Sequence, residues 1–350
     1  MSSTLRRVLR FVEPGRVSVD TESLEPPDAG EVRVETVLSA VSPGTETLVY
    51  RGEAPSGLPA DAALESLSGG LDFPLLYGYA TVGRVTEVGD AVSAEWAGRR
   101  VFAFQPHVSH FTTAPETLIP LPDDVAWTDG VLIPNTETAV NLLMDGAPVL
   151  GERVVVFGQG VVGLLTTTLL STYPIGDLYT VEPVPGRRER SEVLGAQRSF
   201  SPESREALFD ALQLTDPEPR AVEGSRYEGA DLVYELSGRP ETLNHALDVV
   251  GFDGRIVLGS WYGTRRAPID LGGRFHRSRV SIVSSQVSTV APAYRGRWTK
   301  SRRMQTVLGL LPDLEPRTLV GDPVSIEDAP DVYDRLDRGA GPLQPVFHYD

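Results

Sequence analysis

The chain has 350 residues, 41% of them hydrophobic, enough to bury a large core and to suggest about two domains. It carries 48 acidic against 32 basic residues, a net charge of −16, and Lys300 is its single lysine. With no basic run to meet nucleic-acid phosphates, no apolar run long enough to span a membrane and no cysteine, it excludes nucleic acid, a membrane span, disulfides, thiolate metal sites and a cysteine nucleophile.

The N-terminal MSSTLRRVLRFVE is too short in its apolar part for a signal peptide, and Glu13 and Pro14 cut it off. A cytoplasmic protein is expected. An acidic, lysine-poor surface fits a halophile, where salt near 1 M screens charge over about 3 Å, although a GC-rich genome gives the same composition.

Short alternating runs at 5–11, 17–20, 32–38, 81–88, 100–104 and 111–119, punctuated by PPDAGE and SPGTE, predict a β-barrel-like domain. Residues 54–74, rich in Ala, Pro, Gly, Ser and Leu, interrupt it as a loop or short helix, a structural flap or a lid. VLIPNTETAVNLLMDGA, 131–147, has helical spacing after Pro134 and leads into a different pattern.

That pattern opens with RVVVFGQGVVG, 153–163, a buried strand running into Gly158, Gly160 and Gly163 with G-x-G-x-x-G spacing and then an apolar helix at 162–170. Gly158 allows the tight turn, Gly160 lets backbone approach a pyrophosphate, and Gly163 lets helix pack on strand. The free N–H groups of Val161 and Val162 at the helix start suit phosphate. The next apolar run, DLYTVE, ends in Glu182, where a dinucleotide fold keeps the acid for the adenine ribose.

Strand-like runs recur at 229–238, 254–260 and 279–285, with a helical pattern at 240–250, so parallel β-α-β units are predicted. The polar 214–229 reads as a solvated loop. Beyond Ser285 come helices near 302–311 and within 323–336, then a closing strand in PLQPVFHYD. The expected organisation is 1–134 β domain, 135–285 nucleotide-binding domain and 286–350 returning to the β domain. The cleft between the domains is the expected active site.

These motifs, with GYATVGRVTEVG (78–89), GRRVFAF (98–104) and the pair Thr138 and Ala139, resemble the medium-chain dehydrogenase/reductase superfamily over nearly the whole chain. SPGTETLVYRG (42–52), PLLYGY (74–79), FQPH (104–107) and SSQ (284–286) are most similar to its zinc-type group that includes bacteriochlorophyllide a dehydrogenase. The resemblance implies an α/β fold, a Rossmann doubly wound parallel sheet inserted in a GroES-like β-barrel catalytic domain. It further implies an NAD(P)-dependent oxidoreductase acting on a small-molecule carbonyl, alcohol or activated alkene, assembled as a homodimer or homotetramer.

The family's zinc ligands are absent: Pro43 stands where the first cysteine belongs, Tyr79 where the histidine belongs, and Pro134 or Asn135 near the third position. A zinc-independent enzyme is expected. One alternative is a metal-dependent alcohol dehydrogenase using Glu46, His107 and Glu137; another is a non-catalytic NAD(P)-binding protein. Without metal, Thr45, Tyr79 and His107 are the candidates for proton transfer, with His107 preferred because it titrates nearest neutrality.

Glu182 favours NAD by bonding the ribose and repelling a 2′-phosphate, whereas Arg187 and Arg188 would accept NADP. Ser237, Gly238, Gly259 and Ser260 are expected beside the nicotinamide ribose. Gln105, Trp261 and Tyr262 are expected to line the substrate pocket.

Overall fold

The computed structural model describes residues 3–55, 57, 69–214 and 228–349. Most of the proposed flap (56 and 58–68) and of the solvated loop (215–227) lies outside the described residues. The chain forms two compact units, Met1–Pro134 with Leu308–Asp350 and Asn135–Val307.

The first unit begins with β1 (Thr4–Glu13) and β2 (Arg16–Leu24), an antiparallel ribbon. Next come β3 (Val32–Ala40), helix α1 (Pro43–Tyr50), β4 (Thr81–Val88) and β5 (Arg100–Ala103). SPGTE is therefore a helix start as well as a break. Proline suits that position because the first helical N–H has no intrahelical acceptor. The expected strand at 111–119 divides into β6 (His110–Thr113) and β7 (Ile119–Pro120). Pro115, which lacks an N–H for the ladder, opens a 3₁₀ turn between them. A short helix α2 (Trp127–Gly130) follows.

In the second unit, α3 (Ile133–Gly146) precedes β8 (Arg153–Phe157), α4 (Val161–Ser171), β9 (Asp177–Val181) and α5 (Pro185–Val193). Then come β10 (Arg198–Phe200), α6 (Arg205–Ala211), β11 (Ala230–Glu235), α7 (Thr242–Val249), β12 (Val250–Leu258) and β13 (Ser281–Ser284). Their sheet has the order β10-β9-β8-β11-β12-β13, with every neighbouring pair parallel. This is the doubly wound order anticipated from the alternating pattern, and it reverses direction at β8. Strands buried on both faces explain the unbroken apolar runs: Val154, Val155 and Val156 are wholly inaccessible, as are Leu232, Val233 and Tyr234.

The return to the first unit falls within α8 (Lys300–Leu314), at Leu308, later than the expected residue 286. Buried Arg303 accounts for the shift. Its guanidinium donates to Glu137 Oε1 at 2.9 and 3.0 Å, to Asn141 Oδ1, and to the carbonyls of Val287 and Thr289, tying 286–307 to α3.

The chain closes with β14 (Val324–Ser325), α9 (Ala329–Asp337) and β15 (Val346–His348). Strand β15 pairs antiparallel with β3, completing a seven-stranded sheet in the order β14-β15-β3-β4-β5-β7 with β6 also on β3. One core of this unit gathers Leu9, Phe11, Tyr50, Tyr333 and Phe347, and a second gathers Val8, Val34, Val85, Val101 and Phe111. No helix among the described residues is long and apolar enough to cross a membrane.

Candidate functional site

The glycine turn sits at the carboxyl end of β8, where the strand order reverses. Gly158 has φ +89°, and a Cβ there would lie 2.6 Å from the Leu236 carbonyl oxygen. A Cβ on Gly163 would lie 2.0 Å from the Gly158 carbonyl oxygen, so only glycine lets α4 pack this close. Gly160 differs: it caps α4 with φ −72°, and its missing Cβ points at open space. Buried Val161 and half-buried Val162 follow it, and their N–H groups begin the helix. A turn of this shape, opening a helix, offers backbone donors to an anionic group.

Glu182 is 4% exposed, and its carboxylate is committed to backbone: Oε2 accepts the Gln159 N–H at 2.7 Å and Oε1 the Val184 N–H at 3.0 Å. It therefore braces the glycine turn, while each oxygen retains acceptor capacity for a further donor. Gln159 is wholly buried; its amide accepts from Thr167 at 3.0 Å and donates to the Gly158 carbonyl at 3.0 Å. Arg188 donates to the carbonyls of Glu182 and Pro183 at 2.8 and 2.7 Å, and half-buried Arg187 lies in the first turn of α5.

Across β8, at the end of β11, stands a second carboxylate, Glu235, which was not among the residues expected from the sequence. It has no exposure. Its Oε1 accepts the Ser237 N–H at 2.9 Å and the Ser237 hydroxyl, and its Oε2 accepts the Tyr262 hydroxyl at 2.5 Å. Burial and the Glu235 charge raise the Tyr262 hydroxyl far above its ordinary pKa, so it stays a donor. Gly238 donates its N–H to Ser260 Oγ at 2.9 Å, and Gly259 donates to the Glu235 carbonyl at 3.1 Å. Ser237, Gly238, Gly259 and Ser260 are thus brought together. Tyr262 and Trp261 were expected to line the substrate pocket; the Tyr262 hydroxyl is turned onto Glu235, and Trp261 is 39% exposed. The signal for Glu235 was available: ADLVYE ends an apolar run in an acid as DLYTVE does.

In the other unit, the Tyr79 hydroxyl meets two others, those of Ser42 and Thr45. The Tyr79 hydroxyl donates to Ser42 Oγ at 2.6 Å and lies 3.4 Å from Thr45 Oγ1. Tyr79, Ser42 and Thr45 are all partly accessible. Ser42 was not among the residues expected from the sequence; its one local signal was its place before Pro43 at a helix start.

His107, the preferred acid/base from the sequence, does not join this group. It has no exposure, and both ring nitrogens are engaged: Nε2 lies 3.0 Å from Glu46 Oε2 and Nδ1 2.7 Å from Ser39 Oγ. Ser39 in turn meets the Tyr349 hydroxyl at 2.6 Å. Glu46, also without exposure, accepts the Tyr333 hydroxyl at Oε2 and the Ser42 N–H at Oε1, 2.7 Å. Burial, then the Glu46 charge, pushes the Tyr333 hydroxyl well above its usual value. Gly78 makes room for the imidazole, since a Cβ there would stand 2.7 Å from His107 Cδ2. His107, expected to act on substrate, is thus found buried and bonded to Glu46 and Ser39. Gln105 is half-buried, and its carbonyl accepts from Thr81 at 3.2 Å.

At the positions where the resemblance implies zinc ligands, the side chains are otherwise engaged or lack a donor. Tyr79 is bonded to Ser42, Pro43 has no donor side chain, and the Glu46 and His107 groups are spent on each other and on core hydroxyls. Glu137, third member of the alternative set, is paired with Arg303. Among the described residues no group of three or more His, Cys, Asp or Glu is arranged to hold a metal ion.

No family model matches the chain. It is similar to sorbitol dehydrogenase 1 of Saccharomyces cerevisiae, 26% identical over 218 residues, 53% of this chain and 60% of that protein. It is also similar to D-guloside 3-dehydrogenase of Escherichia coli, 23% identical over 331 residues, 87% of this chain and 88% of that protein. The match thus spans 60% of the length of the sorbitol dehydrogenase. Among solved structures, the alcohol dehydrogenase rspB of E. coli CFT073 with NADH matches with a TM-score of 0.76 at 17% identity, over 99% of both chains. A zinc-binding dehydrogenase from Sinorhizobium meliloti bound to NADP matches with a TM-score of 0.74 at 15% identity, again over 99% of both. At these identities the structural likeness is one of fold.

Proposed function

We propose that the chain is an NAD(P)-dependent oxidoreductase that moves hydride between nicotinamide and an alcohol–carbonyl couple or an activated alkene, without catalytic zinc. The observation that carries this reading is the open cradle at Gly160, set at the reversal of a doubly wound sheet and braced by Glu182. The nicotinamide supplies or accepts the hydride at its C4. Gly158, Gly160, Val161, Val162 and Gly163 hold the pyrophosphate against backbone N–H groups, and Glu182 receives the adenine ribose. The names of the relatives, sorbitol and D-guloside dehydrogenases, support the alcohol–carbonyl couple.

The proton is the task left for side chains. The hydroxyls of Ser42 and Thr45 each meet that of Tyr79, which the resemblance sets at a ligand position, and the group is able to donate to a developing alkoxide and pass the proton along.

The test is oxidation of NADH and NADPH by wild type and Tyr79→Phe against a panel of ketones, aldehydes, quinones and enones in concentrated KCl. Turnover by wild type, with kcat lowered about 100-fold in Tyr79→Phe at unchanged NADH affinity, is expected. Tight NADH binding with no turnover on any substrate would make the chain a non-catalytic binder.

A further inference from the structure

Two buried carboxylates flank the glycine turn, one from each strand beside β8. The register aligns Phe157 with Val181 on one side and with Glu235 on the other. Glu182 follows Val181 and braces the first half of the turn. Among the described residues, the hydrogen-bond partners of the Glu235 carboxylate, Ser237 and Tyr262, belong to the two segments that follow β11 and β12.

A carboxylate with no exposure is an expensive group to keep. Glu235 has no cationic partner among the described residues, only neutral donors, and an apolar residue of similar volume would be easier to bury. What the carboxylate provides is order. Its Oε1 closes the turn at Ser237, whose Oγ accepts the Arg239 N–H at 3.1 Å. Its Oε2 pins Tyr262, and so the segment that carries Gly259 and Ser260. The two segments are cross-tied where Gly238 donates to Ser260 Oγ and where Arg265 donates to the Gly238 carbonyl at 3.1 Å.

Resting on the dinucleotide reading above, we infer that Glu235 is a positioning residue for the nicotinamide half of the cofactor, acting through Tyr262 and Ser237, as Glu182 serves the adenosine half. The carboxylate does not touch the reacting atoms. It holds Ser237, Gly238, Gly259 and Ser260 in the one arrangement that a nicotinamide ribose meets, so the ordering is complete before the ligand arrives.

The division of labour makes the test specific, because AMP carries only the adenosine half. NADH and AMP affinities are measured by fluorescence titration and calorimetry on wild type, Tyr262→Phe, Glu235→Ala and Glu235→Gln. Tyr262→Phe and Glu235→Ala should weaken NADH about tenfold while AMP stays within about twofold. Glu235→Gln should recover most of the NADH affinity, since its amide accepts from Ser237 and donates to the Tyr262 oxygen. Tyr262→Phe keeps the test valid if Glu235→Ala does not fold. Unchanged NADH affinity in Tyr262→Phe, or equal losses for AMP and NADH, would overturn the inference. Wild type that binds neither ligand would remove the dinucleotide reading itself, and this inference with it.

Discussion

The Glu182 carboxylate accepts the backbone N–H of Gln159 at 2.7 Å, which makes the acid after β9 and the middle of the glycine turn after β8 one unit. Removing it should loosen the turn for any dinucleotide and, in addition, remove the acceptor for the ribose hydroxyls and the charge that opposes a 2′-phosphate. Glu182→Ala should therefore weaken NADH by about tenfold more than NADPH. Equal losses in parallel fluorescence titrations would mean that Glu182 braces the loop without selecting the cofactor.

Gly160 and Gly163 make opposite demands although both belong to one motif. Gly160→Val adds a side chain into open space at an ordinary φ of −72°, so the melting temperature should hold while NADH binding is lost. Gly163→Val forces a Cβ to within 2.0 Å of the Gly158 carbonyl, so the protein should lose stability by more than about 2 kcal/mol. Thermal melts and NADH titrations of the two variants read the contrast; a stable Gly163→Val would contradict the packing account.

His107 is expected to matter for stability. Its removal leaves the Glu46 carboxylate, which has no exposure, without its imidazole partner. His107→Ala should cost about 1–3 kcal/mol in urea unfolding, the penalty of leaving buried hydrogen-bond partners unmet. A variant of native stability with kcat alone reduced would restore His107 as a group that acts on substrate.

These residues show how far a one-dimensional reading reaches. The glycine turn was legible because its three glycines and Glu182 lie within 25 residues and each answers a local demand. The parallel sheet was legible from the alternation of apolar strands and helices. The hydroxyl group was not: Tyr79 and Ser42 are 37 residues apart, and Glu46 meets Tyr333 across 287. No local pattern encodes such a meeting, so His107 was chosen from the chemistry of its side chain alone, without sight of Glu46 and Ser39 on its ring. Arg303, whose bond to Glu137 spans 166 residues and shifts a domain boundary, is illegible for the same reason.

His110 gives a pH dependence of known sign. The half-buried ring is held by Ser109 Oγ at 3.1 Å, and burial lowers its pKa. The folded chain therefore takes up this proton less readily than the unfolded chain. As pH falls through the unfolded value of about 6.5 the unfolded state gains the proton and stability drops, until the lower folded pKa is reached. Urea midpoints of wild type and His110→Gln at about pH 5 and about pH 7.5 isolate this part. The variant should show the shallower slope; an identical slope would assign the acid sensitivity to other groups.

The most direct test of a zinc-free, hydroxyl-based oxidoreductase is NAD(P)H turnover by protein stripped with a chelator, with metal content measured on the same sample. The account predicts that the stripped protein turns over at the untreated rate and that added zinc changes nothing. Activity that disappears with the metal and returns in proportion to bound zinc would contradict it.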